Sequence, residues 1–150
     1  MTHSAPQNPF GSSITSDDIV DTLGFFDSWE DRYKYIIDLG KEIPQLPDAL
    51  RTEDRLVRGC QSQVWMDIDE RDGLLTIAVD SDAFIVKGLL GVVLAAFNNK
   101  TPADILDFNM DSYLDSLDLL RHLSPTRGNG LRAMVDRIND YAATVQASGQ

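Results

Sequence analysis

The sequence predicts an α+β fold in which helices pack around a small antiparallel sheet. Hydrophobic residues recur at helical spacing up to about residue 40 and again from residue 82, whereas residues 63–80 largely alternate between apolar and polar side chains. The dipeptide Asp72-Gly73, a strong hairpin signal, divides this alternating stretch into two halves. Helices on both sides of a short antiparallel hairpin are typical of the α+β class.

Two helices are predicted before the strands. Ser16 is placed to cap a short helix that ends near Leu23, with acidic residues in its first turn. Ser28 is placed to cap a second helix over about 29–40, and two prolines soon after it indicate a loop. The apolar stripe of the second helix consists of Trp29, Tyr33, Ile36 and Ile37.

The predicted sheet has three strands and is covered by a central helix. Alternation over 63–69 and 74–80 predicts a hairpin, and residues 54–58 are expected to add a third strand. Residues 82–98 are predicted to form a helix that is apolar nearly all round, which places it against the sheet. Lys87 interrupts this helix and is expected to pair with a carboxylate or to extend to solvent.

The rest of the chain is predicted to be helical apart from one loop. Thr101 and Pro102 begin a helix, and further helices are expected near 112–120 and over 130–146. The segment 124–130, which contains a proline and two glycines, is predicted to be a loop.

The 150 residues are expected to form one domain over residues 16–146. Residues 1–15 are predicted to be a disordered tail because they have little hydrophobic density, and residues 147–150 to be a frayed end. No signal-peptide pattern is visible, and the apolar stretch 83–97 is too short to cross a membrane. A lone cysteine also suits a reducing compartment, so we expect a cytoplasmic protein.

The charge of the chain excludes two classes of partner. It has 24 acidic and 13 basic residues and a net charge of -11. Nucleic acid and anionic membranes both bind clustered lysine and arginine, so neither is an expected partner. An acidic surface could instead dock on a basic patch of a partner protein, or it could serve solubility alone.

The chemistry of this chain centres on its single cysteine, Cys60. One thiol excludes an internal disulfide and a paired-cysteine redox site. One cysteine with two distant histidines does not make a recognisable metal site, so no metal is expected. Phosphate-binding glycine motifs are absent, which leaves no support for a nucleotide site.

The neighbours of Cys60 leave its role open. Gly59 gives the backbone freedom, and the arginines at positions 51, 55 and 58 would favour a reactive thiolate. If a strand already begins at Cys60, however, its side chain shares the apolar face of that strand and is shielded. From the residues alone, a small buried cysteine with a purely structural role is the commoner alternative.

Four segments of the chain resemble the SufE family, whose members accept sulfur from cysteine desulfurases. The segment around the cysteine, residues 59–65 (GCQSQVW), resembles the family's signature. The other matching segments are residues 29–33 with 36–40, residues 80–83 with 85–89, and residues 122–127 with 129–131, whereas Gly128 stands where family members often have serine. The similarity extends over about residues 16–145, and four segments in order are more specific than any one of them.

The resemblance implies that Cys60 takes sulfur as a persulfide from a SufS-like cysteine desulfurase and that the protein stimulates this enzyme. It further implies delivery to a SufBCD-like scaffold for iron–sulfur cluster assembly, and a fold related to that of IscU-type scaffolds. The protein would be neither an enzyme nor a cofactor carrier, since pyridoxal phosphate belongs to the desulfurase. With one cysteine, the chain resembles a carrier and not a scaffold.

Seven further residues are expected to support the loop around Cys60 or to take part in partner docking. The residues concerned are Arg58, Gly59, Gln61, Ser62, Asp82, His122 and Arg127. Asp82, together with Ser81, is also expected to cap the central helix. His122 is expected to make a structural hydrogen bond.

Two alternatives to a sulfur acceptor stay open. In a thiol enzyme, Cys60 would be the nucleophile and His122 its base, which requires them within hydrogen-bond reach beside a substrate pocket. In an interaction module, the cysteine would be structural only. The sequence does not identify the cognate desulfurase or the final sulfur acceptor, and self-association as a weak homodimer stays open.

Overall fold

A computed structural model describes residues 8–59 and 62–148. The helices are α1 (Ser16–Phe25), α2 (Trp29–Lys41), α3 (Phe84–Phe97), α4 (Pro102–Asp107), α5 (Met110–Ser116) and α6 (Pro125–Ser148). The strands are β1 (Val64–Arg71) and β2 (Leu74–Ser81). Short 3-10 turns cover Asp48–Leu50, Glu53–Arg55 and Leu120–His122. None of the helices in the described ranges combines the length and hydropathy that a bilayer-crossing segment needs.

The predicted hairpin is confirmed. β1 and β2 pair antiparallel along their whole length, from Val64 opposite Ser81 to Arg71 opposite Leu74. The turn falls at Asp72-Gly73, where the sequence placed it. Alternate residues of both strands are buried in the core and β2 packs against α3, so the period-2 pattern marks the core face of the sheet.

The predicted third strand over 54–58 is wrong, because the sheet in the described residues has two strands. A 3-10 turn occupies Glu53–Arg55, and the chain is extended beside β1 only at Leu56 and Val57. Leu56 forms one isolated bridge with Trp65. A turn so close to the pairing residues leaves too little extended backbone for a strand.

The central helix α3 is buried on nearly every side, as its composition predicted. It packs against α2, β2, α1 and α6. Its contact with α2 is unusually close, since a Cβ atom at Gly88 would overlap the carbonyl oxygen of Ile36. A residue without a side chain is therefore required at position 88 for α2 and α3 to meet.

The N-terminal segment is ordered further than the predicted tail over 1–15 allows. Phe10 is 0% exposed, and Asn98 ties it to the sheet. The Asn98 side chain donates to the Phe10 carbonyl (2.9 Å) and accepts from the Ile77 N–H (2.7 Å). The segment has few hydrophobic residues, which predicted disorder, but the single buried ring of Phe10 is enough to anchor it. Residues 1–7 lie outside the described residues.

The caps of α1 and α2 lie within a residue of their predicted positions. Thr15, not Ser16, caps α1: the Asp18 N–H donates to its hydroxyl, and the Thr15 N–H donates back to the Asp18 carboxylate. Ser28 caps α2 as predicted, accepting from the Asp31 N–H at 3.2 Å.

The predicted loop over 124–130 is wrong, because α6 already begins at Pro125. The Arg127 N–H donates to the Ser124 hydroxyl (3.2 Å), which makes Ser124 the helix cap and Pro125 the first helical residue. This start signal outweighs the glycines that follow it. At its other end α6 continues through Ser148, past the predicted limit at residue 146, and residues 149–150 lie outside the described part of the chain.

Candidate functional site

The candidate site is the loop between Val57 and Val64, the acceptor loop. The Val57 N–H donates to the Val64 carbonyl at 2.8 Å, so the chain enters and leaves the loop side by side. Cys60 and Gln61 lie outside the described residues. The structure therefore defines the base of the loop and the surfaces around it.

Asp82 holds the exit of the acceptor loop. The Gln63 N–H donates to the Asp82 carboxylate (3.1 Å), and the Asp82 N–H donates to the Gln63 carbonyl (3.3 Å). The expectation that Asp82 caps the central helix is wrong, since Ala83 occupies the cap position without a side-chain hydrogen bond. Ser81 supports this corner by accepting from the Ala83 N–H. Asp82 thus joins the loop to the start of α3.

Arg137, which the sequence did not indicate, holds the entry to the loop. Its guanidinium donates to the Leu56 carbonyl (2.9 Å) and to the Asp54 carbonyl (2.9 Å). These groups are about eighty positions apart in the chain, so no local pattern could reveal the contact. The entry is thereby fixed to the middle of α6.

A buried carboxylate, Asp80, ties the segment before the acceptor loop to the core. Asp80 is 7% exposed, pairs with Arg51, and lies 3.2 Å from the Lys87 ammonium. The Arg51 guanidinium also lies over the Trp65 ring, 5.2 Å from its centroid. Lys87 therefore pairs with a carboxylate, as predicted.

The pKa of the Asp80 carboxyl is held below its usual value. Burial alone would raise this pKa, because it disfavours the charged form. Hydrogen bonds from the Ser81 N–H, Arg51 and Lys87 outweigh burial and lower it. Asp80 is therefore charged at neutral pH and serves as a structural anchor for this segment.

The three arginines upstream of Cys60 have different environments. Arg51 pairs with Asp80, and Arg55 lies 2.8 Å from the Asp67 carboxylate, so both charges are neutralised by carboxylates. Arg58 is largely exposed, and its distance to the Glu53 carboxylate is 3.9 Å. Of the three, Arg58 thus has the weakest ion pair and adjoins the loop in sequence.

A small cavity lies between Ser62 and the helices α3 and α6. Its volume is about 20 Å³, roughly the space of one water molecule. It is lined mainly by Ser62, Val86, Leu89, Arg127, Leu131 and Met134. Two predicted site residues, Ser62 and Arg127, are therefore brought together, although Arg127 lies in the first turn of α6 and not in a loop.

Gly59 and His122 complete the predicted set. Gly59 has φ +92°, a conformation that favours glycine, and a Cβ there would lie 3.4 Å from the Ala133 side chain on α6. The His122 ring stacks on Trp29 at a centroid distance of 4.3 Å, and its Nε2 lies 3.4 Å from the Asp118 carboxylate. The contacts described for His122 thus connect it to α2 and to the turn before it.

Comparison with known proteins identifies the family. A family model described as SufE, an Fe-S metabolism associated domain, matches residues 17–142. The chain belongs to the SufE family. The resemblance to this family is thereby confirmed, and with it an association with Fe-S metabolism.

Curated relatives of this SufE-family protein agree. An uncharacterized SufE-like protein of Rhizobium meliloti (strain 1021) is 44% identical over 130 residues, which cover 84% of this chain and 93% of the relative. Another, from Rhizobium etli, is 41% identical over 130 residues, with coverage of 84% and 88%.

A solved structure shows the same fold. The solution structure of a hypothetical protein from Thermus thermophilus matches with a TM-score of 0.73 and covers 88% of this chain and 96% of its own. At 17% identity, this likeness concerns the fold alone.

Proposed function

We propose that this protein accepts sulfur on Cys60 as a persulfide from a SufS-like cysteine desulfurase, stimulates that enzyme, and delivers the sulfur to a SufBCD-like scaffold for iron–sulfur cluster assembly. One observation carries the proposal. The only thiol of a SufE-family chain lies in a loop whose two ends are tied down by Asp82 and Arg137. A fixed base would hold both ends of the loop that carries the thiol in a constant position, as a carrier between proteins requires.

The transfer step is an exchange between sulfur atoms. The Cys60 thiolate attacks the outer sulfur of the donor's persulfide, a new S–S bond forms at Cys60, and the old one breaks. The donor cysteine leaves as a thiolate, so the step needs no oxidant, reductant or cofactor on this chain. Pyridoxal phosphate and the breakdown of free cysteine stay with the desulfurase.

The surroundings of the loop suit this chemistry. Arg58, next to Gly59 and weakly paired, contributes a positive charge that favours the thiolate. The cavity beside Ser62 has a volume of about 20 Å³, enough for the outer sulfur atom of a persulfide. Shielding such a sulfur from water and from other thiols would protect it between partners.

The test is sulfur loading followed by intact mass measurement. The protein is incubated with a SufS-like desulfurase, pyridoxal phosphate and free cysteine, and then measured with and without reductant. We expect a reducible gain of one sulfur atom that maps to Cys60 and is absent from Cys60→Ser. No gain on the folded wild-type protein with a desulfurase that loads a control acceptor would favour an interaction module with a structural cysteine.

A further inference from the structure

An aromatic side chain is exposed beside the acceptor loop. Phe84, the first residue of α3, is 80% exposed. A single exposed phenylalanine is not unusual by itself. What distinguishes Phe84 is its position, because most of α3 is fully buried and only its first turn emerges at the base of the loop.

Chain connectivity places Phe84 close to the loop. Phe84 follows Asp82 by two residues, which limits the distance between their Cα atoms to about 7 Å. Asp82 is in turn hydrogen-bonded to Gln63, at the exit of the loop, through both its side chain and its backbone. Phe84 therefore lies beside the exit of the loop to which Cys60 belongs in the sequence.

Any protein that gives sulfur to Cys60 must cover the surface around this loop. The donor sulfur has to reach bonding distance, and a protein–protein contact of ordinary size buries about 800 Å² on each partner. A patch of that area has a radius of about 16 Å, so a patch centred on the loop includes Phe84. The exposed polar side chains of Arg58, Asp82 and Gln63 would form its surroundings.

We infer that Phe84 is an apolar anchor for the sulfur donor, a persulfide-bearing cysteine desulfurase. The phenyl ring enters an apolar recess on the donor, next to the site that holds the persulfide. An aromatic side chain within a polar rim is the usual composition of an interface hot spot. The net charge of -11 on this chain favours a basic surface around the donor's recess. This inference rests on the proposed function and adds to it the residue that secures the encounter.

Phe84→Ala and Phe84→Leu test the anchor, and Phe25→Ala is the matched control. Phe25 is 83% exposed, lies at the end of α1, and has its ring contact with Phe26. Sulfur transfer from a purified SufS-like desulfurase is measured against the concentration of each variant. We expect Phe84→Ala to raise the KM for the acceptor about tenfold or more, with kcat changed less than about twofold. Phe84→Leu should raise KM by less, and Phe25→Ala should match the wild type.

Thermal unfolding of each variant confirms that the fold is intact, which the exposure of both rings favours. Equal KM values for Phe84→Ala and Phe25→Ala would overturn the inference, as would a loss confined to kcat. It would also be overturned if sedimentation showed that Phe84→Ala abolishes self-association while leaving KM unchanged, since the ring would then bind a second copy of this chain. Failure of the proposed function looks different, because the wild-type protein itself would gain no sulfur.

Discussion

At the scale of single residues, burial and not abundance distinguishes the carboxylates of this acidic chain. Most of its 24 acidic residues are exposed. Asp80 is different because it is buried between two cations. Asp82 is exposed, yet it has a structural role, because its carboxylate accepts a hydrogen bond from the Gln63 N–H and holds the loop exit.

Asp80→Asn is expected to lower the free energy of unfolding by about 2 kcal/mol at neutral pH. The change leaves Arg51 and Lys87 without their anion, although both cations keep partial access to water and are therefore not fully stranded. The exposed pair Lys41–Asp38 provides the control, and Asp38→Asn should change stability by less than about 0.5 kcal/mol. Urea unfolding of the three proteins measures both effects.

The stability difference between the wild type and Asp80→Asn should depend on pH. The pKa of Asp80 is lower in the folded state than the unfolded value of about 3.9, so its stabilising effect is complete above that value. The effect is lost as the pH falls through the folded-state pKa. The stability gap between wild type and Asp80→Asn should therefore narrow under acid conditions. A gap that stays constant down to about pH 3 would contradict the ion-pair assignment.

At the scale of elements, local signals were sufficient where one segment determines its own structure. The Asp72-Gly73 turn and the alternating pattern predicted both strands, and the apolar stretch predicted α3. The third strand failed because the 3-10 turn at Glu53–Arg55 leaves only Leu56 and Val57 extended beside β1. The predicted start of α6 was too late. Ser124-Pro125 is a local helix-start signal, but Gly128 and Gly130 just after it are typical of a loop.

The packing of α2 on α3 predicts a large effect for one methyl group. Gly88→Ala would place a Cβ atom against the backbone of Ile36, which cannot rotate away as a side chain can. We expect a loss of about 3 kcal/mol in the free energy of unfolding. Gly24→Ala is the control, since nothing lies within 4 Å of a Cβ there; it should gain about 0.5 kcal/mol from helix propensity. Equal effects on chemical denaturation would refute the close contact.

The candidate site was only partly predictable, because some of its contacts join elements that are distant in the chain. The family signature indicated Cys60, and the flanking segments indicated Asp82 and Arg127, which the fold places at the loop exit and at the cavity. Arg137 and the pairing of Arg51 with Asp80 depend on contacts between elements distant in the chain. Local patterns in a single sequence do not reveal such contacts, so they become visible only in the packed structure.

At the scale of the whole molecule, the domain includes more of the N terminus than composition suggested. Asn98 joins the segment before α1 to the sheet. Lys100, in the connection between α3 and α4, also holds this segment, because its ammonium donates to the Gly11 carbonyl at 3.0 Å. Phe10 fills the space over Gly91, where an added Cβ would lie 3.1 Å from its ring. Phe10 and the residues beside it therefore complete the core around α3.

Phe10→Ala tests whether this segment belongs to the cooperative unit. Removing a fully buried ring should lower the free energy of unfolding by about 3 to 4 kcal/mol, since it leaves a cavity against α3. Phe25→Ala removes the same ring from an exposed position and should change stability by no more than about 0.5 kcal/mol. If the two substitutions had equally small effects on thermal and urea unfolding, the N-terminal segment would be an attachment to the domain. A large effect of Phe10→Ala with a single transition would make residues near position 10 part of the unit that supports the acceptor loop.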